Sequence, residues 1–396
     1  MSKLEELIQK YCPDGVEYRP LWSLTAWDKK FNGIEDKSKQ KRVIKYNYLL
    51  AADLKSYQVE GGTVKLLTTN ISNLYTSEEL AEGLASDGEV VAIPWGGNPV
   101  VQYYKGRFLT ADNRIATSLD TTLLNNKFLY YCMLSQLKLI ASFYRGSGIK
   151  HPDMAKVLDL EIPIPPLPVQ EEIVRVLDNF TELQTELQTE LQTELQKRLQ
   201  QYNYYKEEIL THFSPEQNAK EYKLGDICEL GTGSHNTQDG LKEGSYPFYT
   251  RGIDVLYLNS YDFDETAIIT AGDGAGVGKV FHYVKGKYAL HQRAYRIVPI
   301  QSKVLARYLY YYLETEFYAY IMKSSVSSSV TSIRKPMLLD FPVLLPSLAE
   351  QQRIVDILDR FDSLTNDLTA GLPAEIEKRR QQYEFYRDKL LTFKRK

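Results

Sequence analysis

Cysteine is scarce in this chain of 396 residues: there are three, Cys12, Cys132 and Cys228, widely spaced and odd in number. That excludes a disulfide framework and a paired-cysteine metal site. The five histidines, among them His282 and His291, have no metal-ligand spacing, so surface or hydrogen-bonded roles are expected and no metal site is read. No apolar run approaches the roughly 18 residues of a membrane span. The opening residues, Met1 to Glu6, lack the basic-then-apolar pattern of a signal peptide. No membrane partner is expected, and the cytoplasm is the expected location. Net charge is also small, −3 overall, which on its face argues against a nucleic-acid partner. The average conceals an uneven distribution: residues 1–158 carry +3, residues 159–213 carry −7, residues 214–340 are balanced and residues 341–396 carry +1. The acid is concentrated in one segment, so whole-chain charge says little about the rest.

Catalytic signatures are missing too. The glycine cluster A-G-D-G-A-G-V-G-K-V (Ala271 to Val280) invites a nucleotide-binding reading but fails in detail. Asp273 and Val280 stand where a Walker loop needs its first glycine and its Mg²⁺-binding hydroxyl. A dinucleotide fingerprint needs a helix directly after the glycines, whereas Val280-Phe281-His282-Tyr283 reads as a strand. A plain turn and a DNA-facing loop remain as readings. Its counterpart Pro94-Trp95-Gly96-Gly97-Asn98 lies at the same place between strands. No N-P-P-Y or D-P-P-Y methyltransferase motif occurs, and Pro152-Asp153 and Pro13-Asp14 lack the spaced E-x-K of a nuclease core. The chain is expected neither to cleave nor to methylate by itself.

What is present is a duplication. R-L-Q-Q-Y-N-Y-Y-K-E-E-I-L-T (Arg198 to Thr211) matches R-R-Q-Q-Y-E-F-Y-R-D-K-L-L-T (Arg379 to Thr392) at seven of fourteen positions. At the same shift of 181, Pro165, Gln170, Ile173, Leu177, Asp178 and Phe180 match Pro346, Gln351, Ile354, Leu358, Asp359 and Phe361. At a shift of 180, Lys105-Gly106-Arg107-Phe108 matches Lys285-Gly286-Lys287-Tyr288, and Leu129-Tyr130-Tyr131 matches Leu309-Tyr310-Tyr311. Glu17-Tyr18 and Glu221-Tyr222 open the two copies. Four segments result: a module at 1–158, a helical segment at 159–213, a module at 214–340 and a second helical segment at 341–396. Short β-branched and aromatic runs (Val90 to Ile93, Ala267 to Thr270, Lys279 to Tyr283) predict strands, and 126–139 and 305–320 predict helices. The fold class expected is α+β: two duplicated α/β modules joined by two long antiparallel helices with pseudo-two-fold symmetry.

The proline-rich Glu161 to Pro168 predicts an extended boundary. From Val169 to Thr211, Ile173, Leu177, Phe180, Leu187, Leu191 and Tyr202 recur on one helical stripe. The matching stripe in the second copy includes Ile354, Leu358, Phe361 and Tyr383. Four T-E-L-Q units (Thr181 to Gln196) advance in steps of four, so the stripe drifts about 40° per unit and departs from a strict heptad. A rod of about 60 Å is expected, packed against its duplicate, with a break in the second helix at Ala370-Gly371-Leu372-Pro373.

Leu158 to Phe180 (L-D-L-E-I-P-I-P-P-L-P-V-Q-E-E-I-V-R-V-L-D-N-F), its copy Leu339 to Phe361, the opening E-Y-K-L-G-D-I (Glu221 to Ile227) and the tetrapeptide repeat resemble the specificity subunit of type I restriction-modification systems. The resemblance covers essentially the whole chain. It implies two target recognition domains, each reading half of a bipartite site in double-stranded DNA, and spacer helices that dock two methyltransferase subunits alongside restriction subunits. It further implies that those partners use S-adenosylmethionine, ATP and Mg²⁺, with no cofactor in this chain. Leu344 and Ser347 depart from the first copy's Pro163 and Pro166, which makes the second boundary less rigid.

Candidate DNA contacts follow from residue type. Lys29, Lys30, Lys39, Lys41, Arg42 and Lys45, interleaved with Phe31, Tyr46 and Tyr48, would neutralise phosphates, and an ordinary solvated loop is the other reading. Asn98 and Lys279 sit in the two glycine-containing loops. Ser234, His235, Asn236 and Gln238 form a polar stretch suited to base edges. Asn113, Arg114, Gln292 and Arg293 follow the K-G-x-aromatic strands at matching places. The function expected is a non-catalytic, sequence-specific DNA-binding subunit that directs partner enzymes to an asymmetric bipartite target. The alternative is a scaffold that tethers partners by its helical rod without reading sequence.

Overall fold

The computed structural model describes residues 2–214, 218–323, 332–366 and 372–396. They group into two compact units, Met1–Thr189 with Glu377–Lys396, and Glu190–Ile376. The four segments expected from sequence merge in this way because the long helices have no core of their own; their ends are built into the cores of the modules.

The first unit opens with α1 (Lys3–Tyr11), begun by a capping box between Ser2 and Glu5. There follow β1 (Glu17–Pro20), α2 (Leu21–Leu24), β2 (Thr25–Trp27), α3 (Ala51–Leu54), β3 (Val64–Leu67), β4 (Tyr75–Thr76), β5 (Ser86–Pro94), β6 (Gln102–Thr110) and β7 (Asn113–Ser118). Then come α4 (Asn126–Ser135), α5 (Leu137–Ser142), β8 (Tyr144–Arg145), β9 (His151–Pro152), α6 (Met154–Leu158), β10 (Glu161–Ile164) and the long α7 (Leu167–Thr211). The second copy comprises β11 (Lys220–Lys223), α8 (Leu224–Ile227), β12 (Cys228–Thr232), β13 (Tyr246–Tyr249), β14 (Leu256–Leu258), β15 (Phe263–Ala271), β16 (Phe281–Leu290) and β17 (Ala294–Pro299). It continues with α9 (Ala306–Lys323), α10 (Lys335–Leu339), β18 (Pro342–Leu345), α11 (Leu348–Asn366) and α12 (Leu372–Leu390).

The two main sheets are the same, strand for strand: β2-β7-β5-β6-β3-β4 and β12-β17-β15-β16-β13-β14. Each has one parallel pair, β3 with β6 and β13 with β16, among antiparallel neighbours. The run Val90-Val91-Ala92-Ile93 lies in β5 and is continuous rather than alternating because both of its faces are covered. Val91 and Ile93 face the core shared with α4, while Val90 and Ala92 pack with Leu67, Phe108 and Ile115. The K-G-x-aromatic match marks a shared backbone feature: Gly106 (φ +129°) and Gly286 (φ +101°) occupy the middle of β6 and β16 in a region closed to most side chains.

A second, smaller element is duplicated as well. β1 pairs with β10 and β11 with β18, both antiparallel. The extended boundaries before the long helices are therefore strands, and Leu344 in β18 takes the place of Pro163 in β10 without changing the pairing. Pro168 enters α7 in its first turn, where its missing N–H costs nothing.

Each module is tied to the helix that leaves it by the same three contacts. Gln170, fully buried, accepts from Asn125 N at 2.9 Å and donates to Leu123 O at 2.8 Å and Pro165 O at 2.7 Å. Gln351 repeats this with Leu305 N at 2.9 Å, Lys303 O at 3.4 Å and Pro346 O at 3.0 Å. Asp178 accepts from Tyr131 OH and Lys127 Nζ, each at 2.7 Å; Asp359 accepts from Tyr311 OH at 2.5 Å and Arg307 Nε at 2.8 Å. Ile173 and Leu177 of α7, and Ile354 and Leu358 of α11, are buried in the two cores, each stabilising its unit by about 1.5–3 kcal/mol.

A returning helix completes each unit. In the first, α12 runs antiparallel to α7, with Tyr383 OH 2.8 Å from Thr181 Oγ1 and Leu391 in the module core. Beyond it the chain reaches the start of the module: Val16 N donates to Lys394 O and Lys396 N to Val16 O. In the second unit the end of α7 plays this part against α11, with the Tyr202 and Phe361 rings tilted at 34° and their centres 6.2 Å apart, and Leu210 in the core. Between these docked ends, the T-E-L-Q array is unevenly covered: Leu183 is 60% exposed, while Leu187 and Leu191 are half-buried. Thr181, Thr185 and Thr189 bond the carbonyl four residues back. Of the break expected at Ala370-Gly371-Leu372-Pro373, 370 and 371 lie outside the described residues, and Leu372 and Pro373 open α12. No described helix is long and apolar enough to cross a membrane.

Candidate nucleic-acid interface

In the second module, side chains from five loops meet. After β12, His235 N donates to Leu290 O, and Gln292 N donates to His235 O at 2.9 Å. Gln292 Nε2 then donates to Asn236 Oδ1 at 2.5 Å, joining the polar stretch to the turn between β16 and β17. His235 Nε2 lies 3.1 Å from Asp262 Oδ1, whose other oxygen accepts from Leu290 N. Beside this, Asp273 of the glycine loop takes two arginines, Arg251 Nη1 at 2.7 Å and Arg293 Nη1 at 3.0 Å. Hydrogen bonding from Arg251 holds the Asp273 carboxyl below its usual range, so it stays ionised. Arg293 N donates to His291 Nδ1 at 3.0 Å, and burial holds His291 neutral by lowering its pKa, which keeps that nitrogen an acceptor. A groove of about 670 Å³ opens here, lined by Thr237, Arg251, Asp273, Gly274, Gly276 and Lys279. Lys279 is exposed, its ammonium 4.9 Å above the Tyr318 ring. Ser234 and Gln238 are exposed on the same loop as Asn236. The glycine loop closes a turn at Gly276 and runs straight into β16 with no helix after it, so it forms no phosphate cradle of either nucleotide-binding type.

The first module is built differently. Lys29, Lys41 and Arg42 line a cleft of about 550 Å³ with Trp22, Trp27 and Phe31. Lys30 and Lys45 are exposed nearby in sequence but outside its lining. Lys39 reaches the cleft while its ammonium is bound to Asp159 at 2.6 Å. Gln40 clamps the loop by bonding both the N–H and the carbonyl of Phe31. Asn98 is exposed in the β5–β6 loop.

Two of the residues expected to contact DNA, Asn113 and Arg114, are instead buried. Asn113 is fully buried, its amide donating to Leu67 O at 2.7 Å and to Thr110 Oγ1, so it knits β7 to its neighbours and faces no ligand. Arg114 is buried too. Its guanidinium lies 4.1 Å from the Trp95 ring centre and 3.8 Å from Asp28, which also accepts from Tyr48 OH and Ile115 N. The sequence pairing is also two residues out of register, because it sets Asn113 against Gln292 and the strands carry one extra residue between Gly286 and β17. Strand register makes Ala294 the equivalent of Asn113 (Ala271 and Pro94 being their partners). The residue equivalent to Arg293 is Asp112, as Gly272 N→Arg293 O and Trp95 N→Asp112 O confirm. The same turn thus presents an arginine in one module and an exposed aspartate, at φ +48°, in the other. Arg251 carried no sequence signal, and Asp273 was visible only as a misfit to a Walker loop.

The helix residues divide likewise. Gln170, Ile173, Leu177, Gln351, Ile354 and Leu358 are wholly buried and Tyr202 nearly so; they bind helix to module and cannot dock a partner. Phe180 is exposed, and Leu187, Leu191, Phe361 and Tyr383 are half-buried. Two exposed aromatic pairs recur at the duplication shift, Tyr204–Tyr205 and Phe385–Tyr386, with ring centres 5.4 and 5.5 Å apart.

Comparison with known proteins agrees with this architecture. Residues 87–197 and 216–378 match the family described as type I restriction modification DNA specificity domain. The chain is 32% identical over 342 residues to a putative type I restriction enzyme specificity subunit of Haemophilus influenzae, covering 80% of this chain and 86% of that one. It is 31% identical over 309 residues to a type I restriction enzyme specificity subunit of Escherichia coli, covering 71% and 74%. A solved chain from work on assembly and conformational transition of the type I restriction-modification system shares the fold, with a TM-score of 0.62 at 17% identity, covering 96% of this chain and 98% of that one. Two matched regions, two sheets of one topology and the paired helix-docking glutamines together place the chain in the family of type I restriction-modification DNA specificity subunits.

Proposed function

We propose that the chain reads an asymmetric, bipartite target in double-stranded DNA, one half-site per module, and directs modification and restriction subunits to it. The observation that carries this reading is the pairing of one sheet topology with different loop chemistry: Arg293 and Asp112 occupy one backbone position, a donor in one module and an acceptor in the other. Two readers of one frame with unlike side chains select unlike base edges. The basic cleft of the first module supplies phosphate contacts that position the duplex without specifying it. The aromatic pairs Tyr204–Tyr205 and Phe385–Tyr386 suit two copies of one modification subunit, which would bring S-adenosylmethionine, while restriction subunits would bring ATP and Mg²⁺ chemistry. The cytoplasm is where such a complex would act.

The long helix acts in this reading as the ruler between half-sites. Removing one T-E-L-Q unit shortens it by about 6 Å, on the order of one to two base-pair steps. Methylome sequencing of cells carrying the four-unit and three-unit forms is expected to return the same two half-sites with a shorter spacer. Changed half-sites with an unchanged spacer would refute the ruler, and a complex that assembles but shows no sequence preference would leave a tethering scaffold.

A further inference from the structure

We propose that Arg251 and Arg293, held side by side by Asp273, form a guanine-reading site in the second module. The inference rests on the chain being a DNA reader and assigns one of its base contacts. The two arginines come from different loops, after β13 and after β16, and share one carboxylate, Oδ1 to Arg251 and Oδ2 to Arg293. Each guanidinium uses one nitrogen on Asp273 and keeps further N–H groups; Arg251 and Asp273 line the groove, and Arg293, outside its lining, stays 62% exposed.

A phosphate anchor and a base reader make different demands. A phosphate is drawn by net positive charge, and a carboxylate about 3 Å from both guanidinium groups opposes it. Guanine carries no charge and offers two acceptors, N7 and O6, on one edge. That edge needs a planar fork fixed in orientation, which is what a carboxylate behind an arginine provides. The adjoining Gln292–Asn236 pair adds uncharged donors and acceptors beside the same groove, a setting for base edges rather than backbone. In the first module Arg114 is buried against Trp95 and Asp112 replaces Arg293, so this guanine contact belongs to one half-site only.

The test uses the full chain assembled with its modification subunits and reads the methylated motif genome-wide. Wild-type chain is expected to give one bipartite motif. Arg293→Gln and Arg251→Gln are expected to lose guanine preference, by about tenfold or more, in one half-site while the other half and the spacer persist. Arg293→Lys should fail in the same way, because an ammonium keeps the charge but not the fork. Asp273→Asn should blur the same positions. An unchanged motif in both glutamine variants overturns the proposal. So does a uniform loss of binding with a shallower salt dependence and full rescue by Arg293→Lys, which marks a phosphate anchor. A wild-type complex with no bipartite motif overturns the DNA-reading assignment itself, and this site with it.

Discussion

Glu172 shows how one side chain fastens an element to the fold. It lies on the first turns of α7, buried, and accepts from Lys3 Nζ of α1 at 2.8 Å and from Arg175 Nη2 at 2.6 Å. Hydrogen bonds from Arg175 and then Lys3 lower its pKa to about 2. A carboxyl whose folded pKa lies below its unfolded value stabilises the fold above the unfolded value and loses that contribution as pH falls towards the folded one. Glu172→Gln is therefore expected to lower the melting temperature at pH 7, and the gap from wild type should narrow below about pH 4.5. A gap constant down to pH 3 would show that charge plays no part. At this scale the sequence was legible in pattern and not in placement. Gln170 and Gln351 were visible as a matched pair, but their burial was not. Asn113 and Arg114 had the chemistry of base readers, and only strand register reveals that they point into the module.

Among elements, the buried glutamines bind each long helix to its module. Replacing Gln170 by Leu leaves the Asn125 N–H and two carbonyls without their buried partner. The expected cost is about 1–3 kcal/mol, seen as a lower denaturant midpoint with unchanged slope for the first unit. Gln351→Leu should act equally on the second, and a difference between them of more than about 1 kcal/mol would show that the two glutamines are not equivalent. The long helices were legible from periodicity to within two residues at either end of α7, because the stripe that defines them is the one the cores bury. The limit lay in the middle. A run of leucines reads the same whether packed or exposed, and their shared four-residue step does not tell Leu183, which faces solvent, from the half-buried Leu187 and Leu191.

For the molecule as a whole, the duplication and the family were legible because repeats survive in docking residues that each copy needs. The division into units was not, since it depends on which helix end closes which core. The first unit is completed by 377–396, through Leu391, Tyr383 and the Lys394–Lys396 contacts with Val16. Deleting 377–396 is expected to speed amide exchange severalfold around Val16, Ile173 and Leu177, while α9 and α11 in the second unit keep their protection. Equal loss in both units would contradict the division. The same closure fixes an order of events during synthesis. The first module leaves the ribosome before the second, yet cannot finish its core until residues made after the whole of the second unit arrive. The segment that closes the earliest-made unit is thus the last to be synthesised, after every residue of the second unit.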